Sequence, residues 1–253
     1  MTGPAKGLLF DVSDFEKEIQ AFPRIASRYL APGAERVIQQ MGADLRNAMK
    51  YSTPEVAWKV SPSNPIRTRG SRGEYMPDNH GQLTVFAEIT FIWVIDPERP
   101  NGNTRAATRF RLTGKASTLI RIMEGEPFDA SNAKEVAMWR MEVGDSAAPG
   151  THFHVQVLGH EIDPPFPKAL DIPRLPGMFV SPLACAEFVI SELFQDEWKK
   201  DSVRSTSDMD RWRGVQTQRA IRQLEWHRDE INSASGSPWT AMKVAKPKEG
   251  LFV

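Results

Sequence analysis

Between residues 83 and 95 an apolar side chain occupies every second position: Leu83, Val85, Ala87, Ile89, Phe91, Trp93 and Ile95 share one parity, against Thr84, Glu88 and Thr90 on the other. Successive side chains of a strand point to opposite faces, so this alternation predicts a long, half-buried β-strand. The same period returns three times. Phe110, Leu112, Ala116, Ile120 and Ile122 alternate with Arg109, Arg111, Lys115 and Arg121. Ala137, Trp139, Met141 and Val143 alternate with Met138, Arg140 and Glu142, and Phe153, Val155 and Val157 with His152, His154 and Gln156. Four consecutive strands with short connections predict an antiparallel meander over residues 83–158.

Helical spacing flanks this region. Phe15, Ile19 and Phe22 follow the capping residues Ser13 and Asp14, and Pro23 is expected to end that helix. Val37, Met41, Leu45 and Met49 recur at steps of four, the stripe of a second helix reaching Lys50. Ser181 before Pro182 reads as an N-cap with a first-turn proline, opening an apolar helix through Phe188, Leu193 and Trp198. A last helix, about 208–232, is expected to bury Trp212, Val215, Ile221, Leu224 and Ile231 and to expose Arg211, Arg213, Arg219, Arg222 and Arg228.

Two segments carry no period. Residues 52–82, with Pro54, Pro62, Pro65, Pro77, Gly70, Gly73 and Gly81, read as a long loop holding Arg67, Arg69 and Arg72. Residues 159–180 hold Pro164, Pro165, Pro167, Pro173 and Pro176 interleaved with Phe166, Leu170, Ile172 and Leu175, the composition of an extended proline-rich strap. The expected fold is therefore α+β, a central antiparallel meander of about four strands with N-terminal helices (13–50) and C-terminal helices (181–232) packed on it. Residues 1–232 form one domain and 233–253 a tail.

Composition narrows the class. Apolar residues at 40% and charged residues at 25% are ordinary for a globular chain. Thirty-two lysines and arginines balance 32 aspartates and glutamates, so no overall field draws the molecule to nucleic acid or membrane. Any polyanion site must be local. No apolar run is long enough to cross a bilayer, so no membrane partner is expected and a cytoplasmic location is. The one cysteine, Cys185, excludes an internal disulfide and a multi-cysteine zinc site, and its apolar neighbours read as core.

The candidate chemistry lies on the polar parity. If the turn after Gly144 pairs Val143 with Thr151, Glu142 stands opposite His152 and Arg140 opposite His154, with directly opposed Cβ atoms about 4.5–5.5 Å apart. Arg109, Arg111, Lys115 and Arg121 fall on the same parity and are expected to bind phosphate. Arginines stabilise the charge of a pentavalent phosphorus, while a carboxylate and an imidazole can move the protons of a 2′-hydroxyl attack without a metal. In chemistry this set resembles the sites of small microbial ribonucleases, with no sequence motif of that family matched. The resemblance implies an RNA-handling, metal-independent endoribonuclease acting through Glu142, His152, His154 and Arg140.

Other sites are not indicated. His152 and His154 have the His-x-His step of a cupin-type metal site, but Val157 and Leu158 stand where the following glutamate belongs, so no metal is expected. Neither a GxSxG elbow nor a GxGxxG fingerprint occurs, and no cofactor is expected. His80 reads as turn chemistry and His227 as a solvated helix residue. The alternative is a non-catalytic protein-interaction subunit of a larger assembly, meeting its partner through the proline-rich strap or the C-terminal tail.

Overall fold

A computed structural model describes residues 7–51, 54–72, 84–99, 105–144, 150–157, 174–178 and 181–253. Along the chain these form β1 (Leu9–Asp11), α1 (Val12–Ile25), α2 (Ala34–Lys50), β2 (Val56–Val60), β3 (Ile66–Arg67), β4 (Ser71–Arg72), β5 (Thr84–Glu98) and β6 (Arg109–Glu124). There follow β7 (Lys134–Val143), β8 (Phe153–Val157), β9 (Leu175–Pro176), α3 (Pro182–Leu193), α4 (Gln195–Ser202), α5 (Ser207–Ser233) and α6 (Pro238–Val244). The fold is α+β, as the periodicities require.

The predicted meander is the spine of one antiparallel sheet, β2-β5-β6-β7-β8-β9, with β1 added to β6 and β3 and β4 to β5. Nine strands among the described residues replace the expected four, and three of the extra ones lie in the supposed loop 52–82. Val56, Trp58 and Val60 do alternate there. Five residues between prolines are too short a run to stand out from a loop without the neighbouring strand that pairs them. The apolar parity of the long strands is buried, Val85, Ala87, Ile89, Phe91, Trp93 and Ile95 as well as Phe110, Leu112, Ala116, Ile120 and Ile122, but β5 is not half-buried as expected, since Phe86, Glu88 and Thr90 on its other parity are buried too.

Residues of α1, α2, α3 and α5 share one hydrophobic core with that apolar face. Aromatic rings knit it together, with Phe15 edge-on to Trp58, Trp93 and Phe110 at 5.2–5.7 Å. Ser181 caps α3 as expected, its hydroxyl accepting from the Ala184 N–H at 3.1 Å.

Four further expectations are corrected. Pro23 does not end α1 but sits buried in its last turn, where the fixed proline φ is compatible with a helix that continues to Ile25. The helix after Ser181 breaks at Phe194, which leaves helical geometry and buries its ring against Tyr29. The buried stripe of α5 is Met209, Trp212, Val215, Arg219, Gln223 and Trp226, while Ile221 and Leu224 are about half exposed. Residues 233–253 are no loose tail: they contain α6, and Phe252 bridges to Phe10 and stacks on its ring at 5.2 Å. The proline-rich strap lies outside the described residues apart from 174–178, where Leu175–Pro176 pair with β8 as β9.

Candidate functional site

The β7–β8 hairpin brings the predicted polar set together in a different register. Val143 pairs with Phe153, so Glu142 stands opposite His154 and Arg140 opposite Gln156. The Gly144 N–H donates to the His152 carbonyl at 2.5 Å, and Thr151 hydrogen-bonds the Phe153 carbonyl at 3.0 Å. His152 and Thr151 thus close the turn instead of extending the ladder to Val143. A slip of two residues keeps every side chain on its face, since the strand period is two. Ser117, directly across from Glu142 on β6, completes the row Ile92–Ser117–Glu142–His154–Pro176.

Within this row His154 is almost fully buried, at 3% exposure. Its Nδ1 lies 2.9 Å from the Thr151 carbonyl, an acceptor only, so Nδ1 carries a proton. Nε2 faces the Glu142 carboxylate at 3.4 Å, and Arg140 Nη1 lies 3.9 Å from the same carboxylate. Burial raises the Glu142 carboxyl, but the adjacent His154 ring, the Arg140 charge and the Ser117 hydroxyl outweigh it and hold the group below the ordinary glutamate range. The carboxylate stands between serine and imidazole. His154 therefore cannot take a proton from Ser117, and the row is not a nucleophile–base–acid relay.

A depressed folded-state carboxyl contributes stability above its unfolded value and loses that contribution as pH falls through the folded one. Glu142→Gln is expected to cost about 1–2 kcal/mol at pH 7, with the difference from wild type shrinking toward pH 3. Urea unfolding of both proteins at the two pH values measures it, and a pH-independent difference would contradict the ionic role.

The other predicted residues do not join the row. His152, buried, packs its ring edge-on against Phe153 at 5.1 Å. Arg121 lies four residues from Ser117 along β6, about 13 Å, and is held by Glu135 at 2.5 Å and Glu88 at 3.6 Å. Arg109 and Arg111 lie about 20 Å or more from Ser117 at the far end of the same strand. Arg109 meets Asp11 at 2.8 Å, and Arg111 meets Glu249 at 2.5 Å and Glu98 at 3.2 Å. Their hydrogen bonds to Asp11 and Glu249 raise both guanidinium pKa values. Lys115 is exposed beside the irregularity where β5 and β6 change register. Alternation alone could assign the arginines to a face but not show which carboxylates share it.

The remaining singled-out residues are accounted for structurally. Burial pushes the Cys185 thiol up to about 12, which leaves it protonated and inert. His227 is not a fully solvated residue: its ring lies 4.6 Å from that of Trp226, and burial lowers its pKa. Arg67 pairs with Glu88 at 2.8 Å and Arg69 with Glu197 at 2.7 Å. His80 lies outside the described residues. Among the described residues no three His, Cys, Asp or Glu side chains are placed to share a metal ion, and no helix is long and apolar enough to cross a membrane.

The concavity that sequence reasoning missed lies on the helical side. A groove of about 650 Å³ runs between α2 and β2, lined by Val37, Met41 and Ala48 from the helix and Val56, Trp58 and Val60 from the strand. Gln40, Asp44, Asn47, Lys59 and Tyr51 also line it. Trp58 fixes the groove floor: its indole N–H donates to the Met41 carbonyl at 2.9 Å, tying the strand to the helix. Tyr51, at the helix end, is 65% exposed.

No protein-family model, curated protein or solved structure matches this chain. What the fold defines is an α+β protein with a large antiparallel sheet, a charge-paired polar face and a lined groove on the helical side.

Proposed function

We propose that the chain is a non-catalytic protein-interaction subunit that holds a partner in the groove between α2 and β2. The groove carries this reading. Its volume falls within the range of binding clefts, and its lining combines an apolar floor with a few polar groups along the helical wall, the usual composition of such sites. The exposed Tyr51 ring is the kind of amphipathic aromatic that anchors interfaces. Glu55, which leads into β2, is held at φ +55°, a left-handed conformation that a residue with a Cβ adopts only at a cost of about 1–2 kcal/mol. Such backbone strain concentrates at functional sites. We place the encounter in the cytoplasm, where the lone Cys185 thiol needs no disulfide partner.

The reading of the notable polar row as an RNA-cleaving site has one observation in its favour, the meeting of Glu142, His154 and Arg140. Against it stand the burial of His154 and the carboxylates that engage Arg109, Arg111 and Arg121. One set of preparations tests both. Peptides selected on wild-type protein from a random display library are expected to bind about tenfold or more weakly to Asn47→Trp and Tyr51→Ala. Both positions are exposed, so neither change should disturb folding. RNA hydrolysis in the presence of EDTA is expected to be absent from wild type and from His154→Ala alike. Cleavage by wild type that His154→Ala abolishes would instead establish the ribonuclease.

A further inference from the structure

We propose that the occupant of the groove is an extended peptide segment of another protein, which joins the sheet as a strand beside β2. The proposal rests on the interaction reading above and specifies the form of the ligand. Three observations carry it. First, β2 closes the strand order: among the described residues it pairs with β5 on one side only, through Val56 to Val60. Its other margin carries main-chain N–H and C=O groups at the repeat that an added strand requires, and the groove is lined by β2 itself. A docked helix satisfies its own main-chain groups and offers that margin nothing.

Second, the lengths agree. The helical wall runs from Val37 to Tyr51, about 21 Å at 1.5 Å per residue. Six extended residues cover about 20 Å. Third, the two sides of the groove differ in the way that alternate side chains of a strand can read. Val56 on β2 is apolar and partly exposed, while Asn47 and Lys59 are polar and exposed. A segment of alternating apolar and polar residues would set an apolar side chain against Val56 and polar ones beside Asn47 and Lys59.

The geometry thus points to main-chain hydrogen bonds for affinity and to apolar side chains at every second position for selectivity. The probes are the display-selected peptides, each resynthesised with single N-methylated amides along its length. Every second N-methylation is expected to weaken binding about fivefold to tenfold, the loss of one hydrogen bond, with the intervening positions nearly silent. Amide hydrogen exchange within residues 56–60 is expected to slow on binding. Peptides that lose affinity on Asn47→Trp but show no alternation and no added protection of β2 would overturn strand addition and leave the interaction reading standing. Peptides indifferent to Asn47→Trp and Tyr51→Ala, or no selected peptide at all, would overturn both. A concentration-dependent dimer that Asn47→Trp dissolves would assign the groove to a second copy of this chain and also overturn the proposal.

Discussion

Arg219→Ala is expected to lower the unfolding free energy by about 3–5 kcal/mol, the cost of leaving one member of a buried ion pair behind. Arg219 on α5 and Glu18 on α1 are 3% and 1% exposed, and their side chains meet across 201 residues of sequence. The guanidinium also lies over the Phe15 ring, 4.5 Å from its centroid. Burial raises the Glu18 carboxyl despite the opposing Arg219 charge. Removing the guanidinium takes away the main opposing influence.

A raised folded-state acid contributes stability that is full below its unfolded value and lost as pH rises toward the folded one. The deficit of Arg219→Ala relative to wild type should therefore be larger at pH 7 than at pH 4.5. Urea unfolding at both values reads it directly. A second variant separates charge from shape: Glu18→Leu with Arg219→Met removes both charges and keeps the volume, and should recover most of the loss. A single-mutant deficit under about 1 kcal/mol would mean that the pair is not desolvated as its burial implies.

Trp58→Ala is expected to cost about 3–5 kcal/mol through loss of transferred area and the cavity left behind. The ring is 1% exposed and lies edge-on to Phe91, Phe15 and Trp93, with centroids 4.9, 5.6 and 6.0 Å away. Trp58→Phe keeps much of that packing but removes the donor to the Met41 carbonyl, and should cost about 1–2 kcal/mol. Equilibrium unfolding of the two variants distinguishes packing from hydrogen bonding: equal losses would assign the whole effect to the indole N–H. Because the same indole floors the α2–β2 groove, Trp58→Ala should also reduce peptide binding beyond its effect on the folded fraction.

The long strands were legible because burial on one face imposes a period on the chain itself. Val85 to Ile95 on β5 and Phe110 to Ile122 on β6 could be assigned to the core without a neighbour in view. Short elements gave no such signal. Trp58 in β2 alternates for only five residues, and β3 and β4 are two residues each. The buried stripe of α5 is not legible for a related reason. Ile221 and Leu224 are apolar and Arg219 and Gln223 are not, yet the helix turns the polar pair inward, because Glu18 and the Gly177 carbonyl await them there.

The candidate site divides along the same line. That Arg140, Glu142 and His154 share a face followed from parity, which a two-residue slip leaves unchanged, while His152 falls before the start of β8. Which of them touch depended on the hairpin: Gly144 bonding His152 puts His154, not His152, against Glu142. The neutralisation of Arg109 by Asp11 and of Arg111 by Glu249 joins segments from opposite ends of the chain.

The sequence by itself determined the fold class, the four-stranded meander, its buried face and the capped start of α3, because each is written in the period or spacing of neighbouring residues. The tertiary structure alone decided the strands added to that meander, the register of the polar row, the partners of its arginines and the groove between α2 and β2. Those features are contacts between residues far apart in the chain, and no local periodicity records which distant side chain will arrive opposite.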